Sequence, residues 1–219
     1  MAVCNTTQNE IGGKDLILKK CKQFDNVSTV LTTTALTVTA HGAKVGDIVK
    51  FLTLGTLTIV NTTSYYTVHT VTDANTIKIA ASPGGAAIIF DTTQASADIL
   101  LFRTLGGLRS KEISFSSEAV DVTNVDSDEW KSMLDNAGVR SASISGSGVY
   151  TSNPIFTELR TDFLANALTC LLFLDAKTKE IIEGCFKISE LSISGDYDAE
   201  GQYSMSAESS GPVTLFLFP

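Results

Sequence analysis

EAVDVTNVDSDEWKSMLDNAGVRSASISGSGVY, residues 118–150, is the stretch whose reading decides the fold. Its last third alternates strictly. Ser141, Ser143, Ser145 and Ser147 fall on one side, and Ala142 and Ile144 on the other. A period of two is that of a strand, and a strand with one apolar and one hydroxyl face belongs to a sheet buried on one side only. The front of the stretch, 119–123, alternates more weakly and reads as another strand. Between them lies an acidic segment around Trp130, the single tryptophan of the chain. Asp126, Asp128 and Glu129 read as the capped start of a short helix running to Leu134, with Gly138 as its stop.

Composition agrees with a β-protein. At 219 residues the chain can form one large β-domain or two small ones, and 43% hydrophobic residues supply a core and exclude wholesale disorder. Thr, Ser, Val and Ile are abundant and Pro is scarce, as expected of strands separated by Gly/Asn/Asp turns. No apolar run reaches the ~18 residues that span a bilayer. The opening MAVCNTTQNE lacks a basic segment followed by an apolar one, so no export signal is expected. Cys4, Cys21, Cys170 and Cys185 form no C-x-x-C pair and are expected as reduced thiols. A net charge of −8 argues against a protein that grips a nucleic-acid backbone, which needs a basic surface.

Outward from the opening stretch, the texture changes twice. Residues 23–99 are Thr-rich and charge-poor, and charges are denser on both sides. The flanking pieces, 12–20 and 102–109, read as neighbouring strands of one sheet. Residues 1–22 and 100–219 then form the main domain, and 23–99 a small inserted β-domain. Inside the insert, short strands over 30–39, 48–52, 65–71, 76–80 and 87–90 suggest a small barrel or sandwich. In the main domain Ser152, Asn153 and Pro154 announce a helix, with Ile155, Leu159, Phe163 and Ala167 at helical spacing and Phe156 and Leu164 widening the stripe. Strands over 169–174, 185–189, 191–194, 202–208 and 213–218 complete it, with a tight acidic turn at 196–201.

Candidate chemistry is thin. His41 and His69 are the only histidines and have no cysteine nearby in sequence, so a zinc site is not expected. Ser145-Gly-Ser-Gly148 lacks the order of a nucleophile elbow, and no histidine outside the insert can serve it as base. Gly12-Gly and Gly106-Gly are too short to cradle phosphate. Asp126, Asp128 and Glu129 lack the alternating ligands and central glycine of a calcium loop. No cofactor and no enzymatic activity are expected. Trp130, large and in a polar segment, is either packed under its own loop or an anchor between subunits.

Several pieces, taken in order, carry a resemblance. They are GKDLILK (13–19), TLGGLRS (104–110), VDVTN (120–124), Asp126-Ser127, Trp130, SASISGSGV (141–149), Glu183-Gly184, LSISGDY (191–197) and YSMSAESSGP (203–212). Over residues 10–22 and 102–219 the chain resembles the major tail tube proteins of long-tailed bacteriophages, and the insert is its departure from the short form of that family. The resemblance implies a two-sheet β-sandwich with one flanking helix, plus the inserted small β-barrel or sandwich. It implies six copies closing into a ring whose inner sheets join, rings stacking into a hollow tube, and double-stranded DNA passing through without specific binding. Implied partners are the chain itself and tape-measure, tail terminator and baseplate or tip proteins. The implied location is the virion tail, assembled in the bacterial cytoplasm, with no membrane insertion by this chain.

The main domain carries 13 Lys/Arg against 19 Asp/Glu, so an inward-facing share would repel phosphate. Candidate lumen positions are the serines Ser143 and Ser145 or the acidic turn with Asp196, Asp198 and Glu200. Candidate ring-to-ring contacts are Asp126, Asp128, Trp130, Met133 and Leu134. The insert is too large for a lumen little wider than a duplex, whose major groove alone is ~12 Å across. It is expected to project outward, with His41, Tyr65 and Tyr66 on its outer surface. Two other readings stand beside this one. One is the tube of a secretion-type or domesticated phage-like particle. The other is a monomeric carbohydrate-binding β-module, supported by the pair Tyr65-Tyr66.

Overall fold

The computed structural model describes residues 15–218 apart from 31–32, 125–126, 128–129, 152 and 199, with Gln94 and Ala95 described in backbone only. The chain is mostly β, with twelve strands and one helix among the described residues. It divides into two compact units. The first runs to Leu105 and takes back Leu171–Glu183 and the last residues from Leu215; the second holds Gly106–Cys170 and Gly184–Thr214.

In the first unit, β1 (Leu16–Thr29), β2 (Leu36–Thr37), β3 (Ile48–Thr53), β4 (Tyr65–Asp73), β5 (Thr76–Ala80) and β6 (Gln94–Thr104) pair antiparallel in a closed cycle. β1 joins β2, then β5, β4, β3, β6 and β1 again, so the sheet has closed on itself and its edges are used up. The alternation of β-branched and aromatic residues fills the interior. Val27, Leu36, Val49, Phe51, Val68, Ile77, Ile79, Ile99 and Leu101 are among the buried core residues. Among the described residues the expected strand over 30–39 appears as β2 alone, residues 31–32 lying outside them, and that over 87–90 as a bridge from Ala87 to Ala80. The flanking pieces do pair, Lys19 opposite Thr104 and Lys20 opposite Arg103. That ladder continues to Thr29 opposite Gln94. β1 and β6 therefore run unbroken through both sequence borders, 22/23 and 99/100, because a paired ladder has no reason to stop where composition changes.

At the base of the barrel sits a buried ion pair. Lys19 Nζ lies 3.2 Å from Asp47 Oδ1, both almost fully buried. It also donates to Thr104 Oγ1 at 2.6 Å and to the carbonyl of Gly46 at 3.2 Å. Asp47 in turn accepts from the backbone N–H groups of Thr104 and Lys44. Burial pushes the Lys19 ammonium below its ordinary range, and the facing carboxylate works against that shift. A second pair, Lys50 with Glu183 at 2.9 Å, packs its ammonium against the rings of Tyr65 and Phe216.

In the second unit β7 (Leu108–Ser117), β8 (Arg140–Val149), β11 (Gln202–Ser209) and the second half of β10 (Glu180–Ser194) form an antiparallel sheet in the order β10-β11-β8-β7. The expected helix is α1 (Pro154–Leu164). Asn153 caps it by accepting from the N–H of Ile155, and Pro154 opens it where its missing donor costs nothing. It buries Ile155, Phe156 and Leu159, with the Phe156 ring 4.9 Å from that of Tyr203. Leu164, expected on the apolar stripe, is exposed at the last helical position, and Asn166 at φ 56 ends the turn. The two expected strands around 185–194 are one strand, β10, bulged between Ile188 and Glu190. β9 (Leu168–Asp175) and β12 (Thr214–Leu217) complete the set.

The Lys19–Asp47 pair predicts a large asymmetry. Asp47→Ala strands a buried ammonium and lowers unfolding free energy by about 3–5 kcal/mol. Adding Lys19→Met recovers part of it, since two backbone donors stay unpaired. Urea titration of the three proteins measures this, and an unmoved midpoint in Asp47→Ala excludes the pair as a support of the fold.

Candidate assembly surfaces

The sheet of the second unit has two unlike faces, and register shows how far each extends. Across β7, β8, β11 and β10, Ser110, Ser147, Ser204 and Ser192 form one rung. Glu112, Ser145, Ser206 and Glu190 form the next, and Ser114, Ser143, Glu208 and Lys187 the third. Eight of these twelve positions are serine, three glutamate and one lysine. Ser204, Ser206 and Lys187 are half-buried and the others exposed. Cross-strand hydroxyls bond directly, Ser114 to Ser143 and Ser192 to Ser204, each at 2.7 Å. The Lys187 ammonium donates to the carbonyl of Asn166. On the opposite face Ala142, Ile144, Tyr203, Met205 and Ala207 are buried. Glycines let the backbone close up here, for a Cβ on Gly148 would meet the carbonyl oxygen of Gly107 at 1.9 Å.

Ser143 and Ser145, picked from sequence, thus sit in the middle of a polar face four strands wide. Their neighbours were missed, although the same signal was present: RSKEISFSS, LSIS and YSMSAES all place a polar residue at every second position. The acidic turn lies where β10 returns to β11. Asp196 and Asp198 are exposed, and Glu200 is ion-paired with Arg109.

Between β7 and β8 the chain forms an arm, 118–139. Its legs are held by backbone bonds from Glu118 to Val139, Val122 to Ser132 and Leu134 to Val120. Asp121 and Met133 form an isolated bridge. Two hydrogen bonds from Thr123 hold the Asp121 carboxyl below its ordinary range, and Lys131 lies 3.6 Å from it. Gly138 is required, because at φ 90 a Cβ there would meet the Glu118 carbonyl at 1.9 Å. The short helix expected through Leu134 is absent among the described residues of the arm, where the two legs pair with each other instead; Asp126 and Asp128 lie outside the described residues. Trp130 is 81% exposed, and Met133 and Leu134 are exposed beside it.

The three positions expected on an outer surface in the insert are buried, which corrects that reading. His41 is 1% exposed, its Nδ1 accepting from the N–H of Ala43 and its Nε2 2.9 Å from the carbonyl of Asp73. The Tyr65 hydroxyl donates to Glu183, and that of Tyr66 accepts from the N–H of Asn61 at 2.9 Å. Tyr66 belongs to the barrel core, whereas Tyr65 packs against Phe102 and Phe216. Among the described residues no cluster of three or more His, Cys, Asp or Glu could hold a metal ion.

Residues 84–215 match the phage tail tube protein family, and the chain belongs to that family. This is a structural rather than a catalytic class. Two solved assemblies contain similar chains. One is the tail of an empty gene transfer agent particle with C6 symmetry, at 34% identity and a TM-score of 0.50, over 52% of this chain and 86% of that one. The other is the virion of a native gene transfer agent particle, with the same identity and TM-score, over 52% of this chain and 88% of that one. Those chains are nearly spanned by about half of this one. No curated protein matches.

Tyr203 gives this unit a measurable pH signature. Burial pushes its hydroxyl up to about 12, and it donates to the carbonyl of Gly106 at 3.1 Å. The unfolded phenol ionises near ~10 while the folded one keeps its proton, so stability is intact below ~10 and falls as pH rises from there toward 12. Denaturant midpoints from pH 8 to 11 should show this decline in the wild type and a shallower one in Tyr203→Phe. Parallel curves would remove Tyr203 as its source.

Proposed function

We propose that this chain is the ring-forming subunit of a tail tube: six copies close into a ring, rings stack, and double-stranded DNA passes down the bore. The observation that carries this is the serine–glutamate face. It is broad, regular and polar, and its single cation, Lys187, is occupied. Affinity for DNA comes mainly from Lys and Arg neutralising phosphates, so a wall of hydroxyls with sparse carboxylates gives the backbone nothing to grip. Such a wall suits a conduit.

Ring closure has a ready means. β7 is the outer strand of its sheet, and no strand pairs with its other edge among the described residues. A ten-residue unpaired edge invites another chain, and a ring turns that liability into a joint. The arm, with Trp130, Met133 and Leu134, serves stacking between rings, and Asp196 and Asp198 lie at the opposite end of the strands, toward a neighbouring ring. The barrel of the first unit projects outward. Tape-measure, terminator and baseplate proteins complete the tail, assembled in the host cytoplasm. The matched gene transfer agent tails favour a second, closely allied reading, in which the particle is a domesticated relative of a phage.

Electron microscopy of the purified chain at rising concentration is expected to show six-fold rings with a central hole, then hollow tubes. Ser145→Lys with Ser206→Lys puts twelve cations on each ring's inner wall. Those tubes should retain DNA at low salt and release it at high salt, whereas wild-type tubes retain none at either. Equal DNA retention by the two proteins would place this face elsewhere than the bore.

The barrel is testable separately. Removing 23–99 takes Asp47 from Lys19, so that deletion alone should be insoluble, while the same deletion with Lys19→Met should fold and still form rings. Loss of rings in a soluble Lys19→Met deletion would show that the barrel belongs to the joint.

A further inference from the structure

We infer that a groove at the root of the arm receives Trp130 from the arm of a second copy of this chain; this rests on the tube reading and names the contact within it. The sheet face opposite the serines is covered by α1 around Tyr203, where Phe156 packs between Tyr150 and Tyr203 at 5.0 and 4.9 Å. Toward the arm that cover stops. Phe115 pairs across the ladder with buried Ala142, so it shares the apolar face, yet it is 64% exposed. Here lies a groove of ≈330 Å³, lined by Phe115, Arg140, Ala142, Pro212 and Val213. That volume is near the lower end of the ~300–1,000 Å³ typical of ligand clefts. It holds one large ring and excludes a folded segment.

The occupant is chosen by size, charge and reach. Trp130 is the largest exposed apolar side chain of the protein and the kind of residue that anchors interfaces. The arm around it is acidic, with Glu118, Asp121, Asp126, Asp128, Glu129 and Asp135 against Lys131 alone. The one charged residue lining the groove is Arg140, exposed and in no ion pair among the described residues. An arginine at the rim meets both an acidic arm and the face of an indole. The same chain cannot fill its own groove in this conformation. The paired legs from Glu118 to Thr123 carry the tip roughly 15 Å from its root at the rise of a strand. Knob and hole therefore lie apart on one molecule, so each copy can give to one neighbour and take from another, the head-to-tail contact that the tube reading requires.

Because Trp130 is the only tryptophan, indole fluorescence reports the surroundings of this side chain alone. The full chain is followed by emission, acrylamide quenching and sedimentation as concentration rises. Emission should move to the blue and quenching fall several-fold as large species appear. Phe115→Glu and Arg140→Glu, both changes at exposed positions, should each raise the concentration needed at least tenfold. Tubes in which Trp130 stays as quenchable as in the monomer overturn the inference and leave the tube reading standing, as does a blue shift indifferent to both substitutions. A groove-dependent shift confined to small oligomers supports the inference and overturns the tubes. A chain that never assembles, with Trp130 quenchable throughout, overturns both.

Discussion

The contact between Lys19 and Asp47 is the constraint around which the first unit is arranged. Three segments far apart in sequence meet there: β1 through Lys19, the turn before β3 through Asp47, and the end of β6 through Thr104. A buried ammonium is tolerable only with its partners in place, so the node couples closure of the barrel to the pairing of β1 with β6. It also explains why the Thr-rich segment cannot be lifted out as an inert module. Asp47, Lys50 and Tyr65 come from that segment, and their partners Lys19 and Glu183 come from outside it.

The second unit is organised by alternation instead of charge. One period-two pattern, repeated in four strands, gives a face that α1 covers and a face of hydroxyls. Serine suits that second face for a physical reason. Its short side chain can be satisfied by the neighbouring serine across the ladder, as Ser114 and Ser143 show, so the surface is polar without being adhesive. Lysine or arginine at those positions would bind a polyanion, and leucine would make the face an exposed apolar patch.

This explains what was legible in the sequence. The serine strand and α1 with its Asn153 cap could be read because each is fixed locally, by period or by capping, whereas the pairing of Lys19 and Lys20 with Thr104 and Arg103, distant in sequence, was signalled by the change of composition between the two flanking pieces. The arm could not. Its legs are joined by Val122 to Ser132 and Leu134 to Val120, contacts that override the acidic helix-start signal around Asp126. His41, Tyr65 and Tyr66 were misplaced on the surface for the converse reason. Each is polar enough to pass for exposed, and each is buried with a partner the sequence did not announce: the Asp73 carbonyl for His41, Glu183 of β10 for Tyr65 and the Asn61 N–H for Tyr66. The width of the serine face lay between these cases. It was written in every strand, but only register could assemble it.

Taken together, the features left unsatisfied in the isolated chain form a consistent set. Among the described residues they are an open strand edge at β7, an apolar groove with a lone arginine, and an acidic arm that carries the tryptophan. A monomer selected to remain monomeric blunts such features with charge, proline or a covering loop. Here the charges of β7, Arg109, Lys111 and Glu112, lie in its first half, and the half next to the arm carries serines and Phe115, which lines the groove. On the serine face, by contrast, Ser114 bonds Ser143, Ser192 bonds Ser204 and the one lysine is held by the Asn166 carbonyl, all within one chain. That division fits the conduit proposed above. On that reading, the surfaces that attach are left incomplete until another copy arrives, and the surface along which cargo slides is polar without being basic.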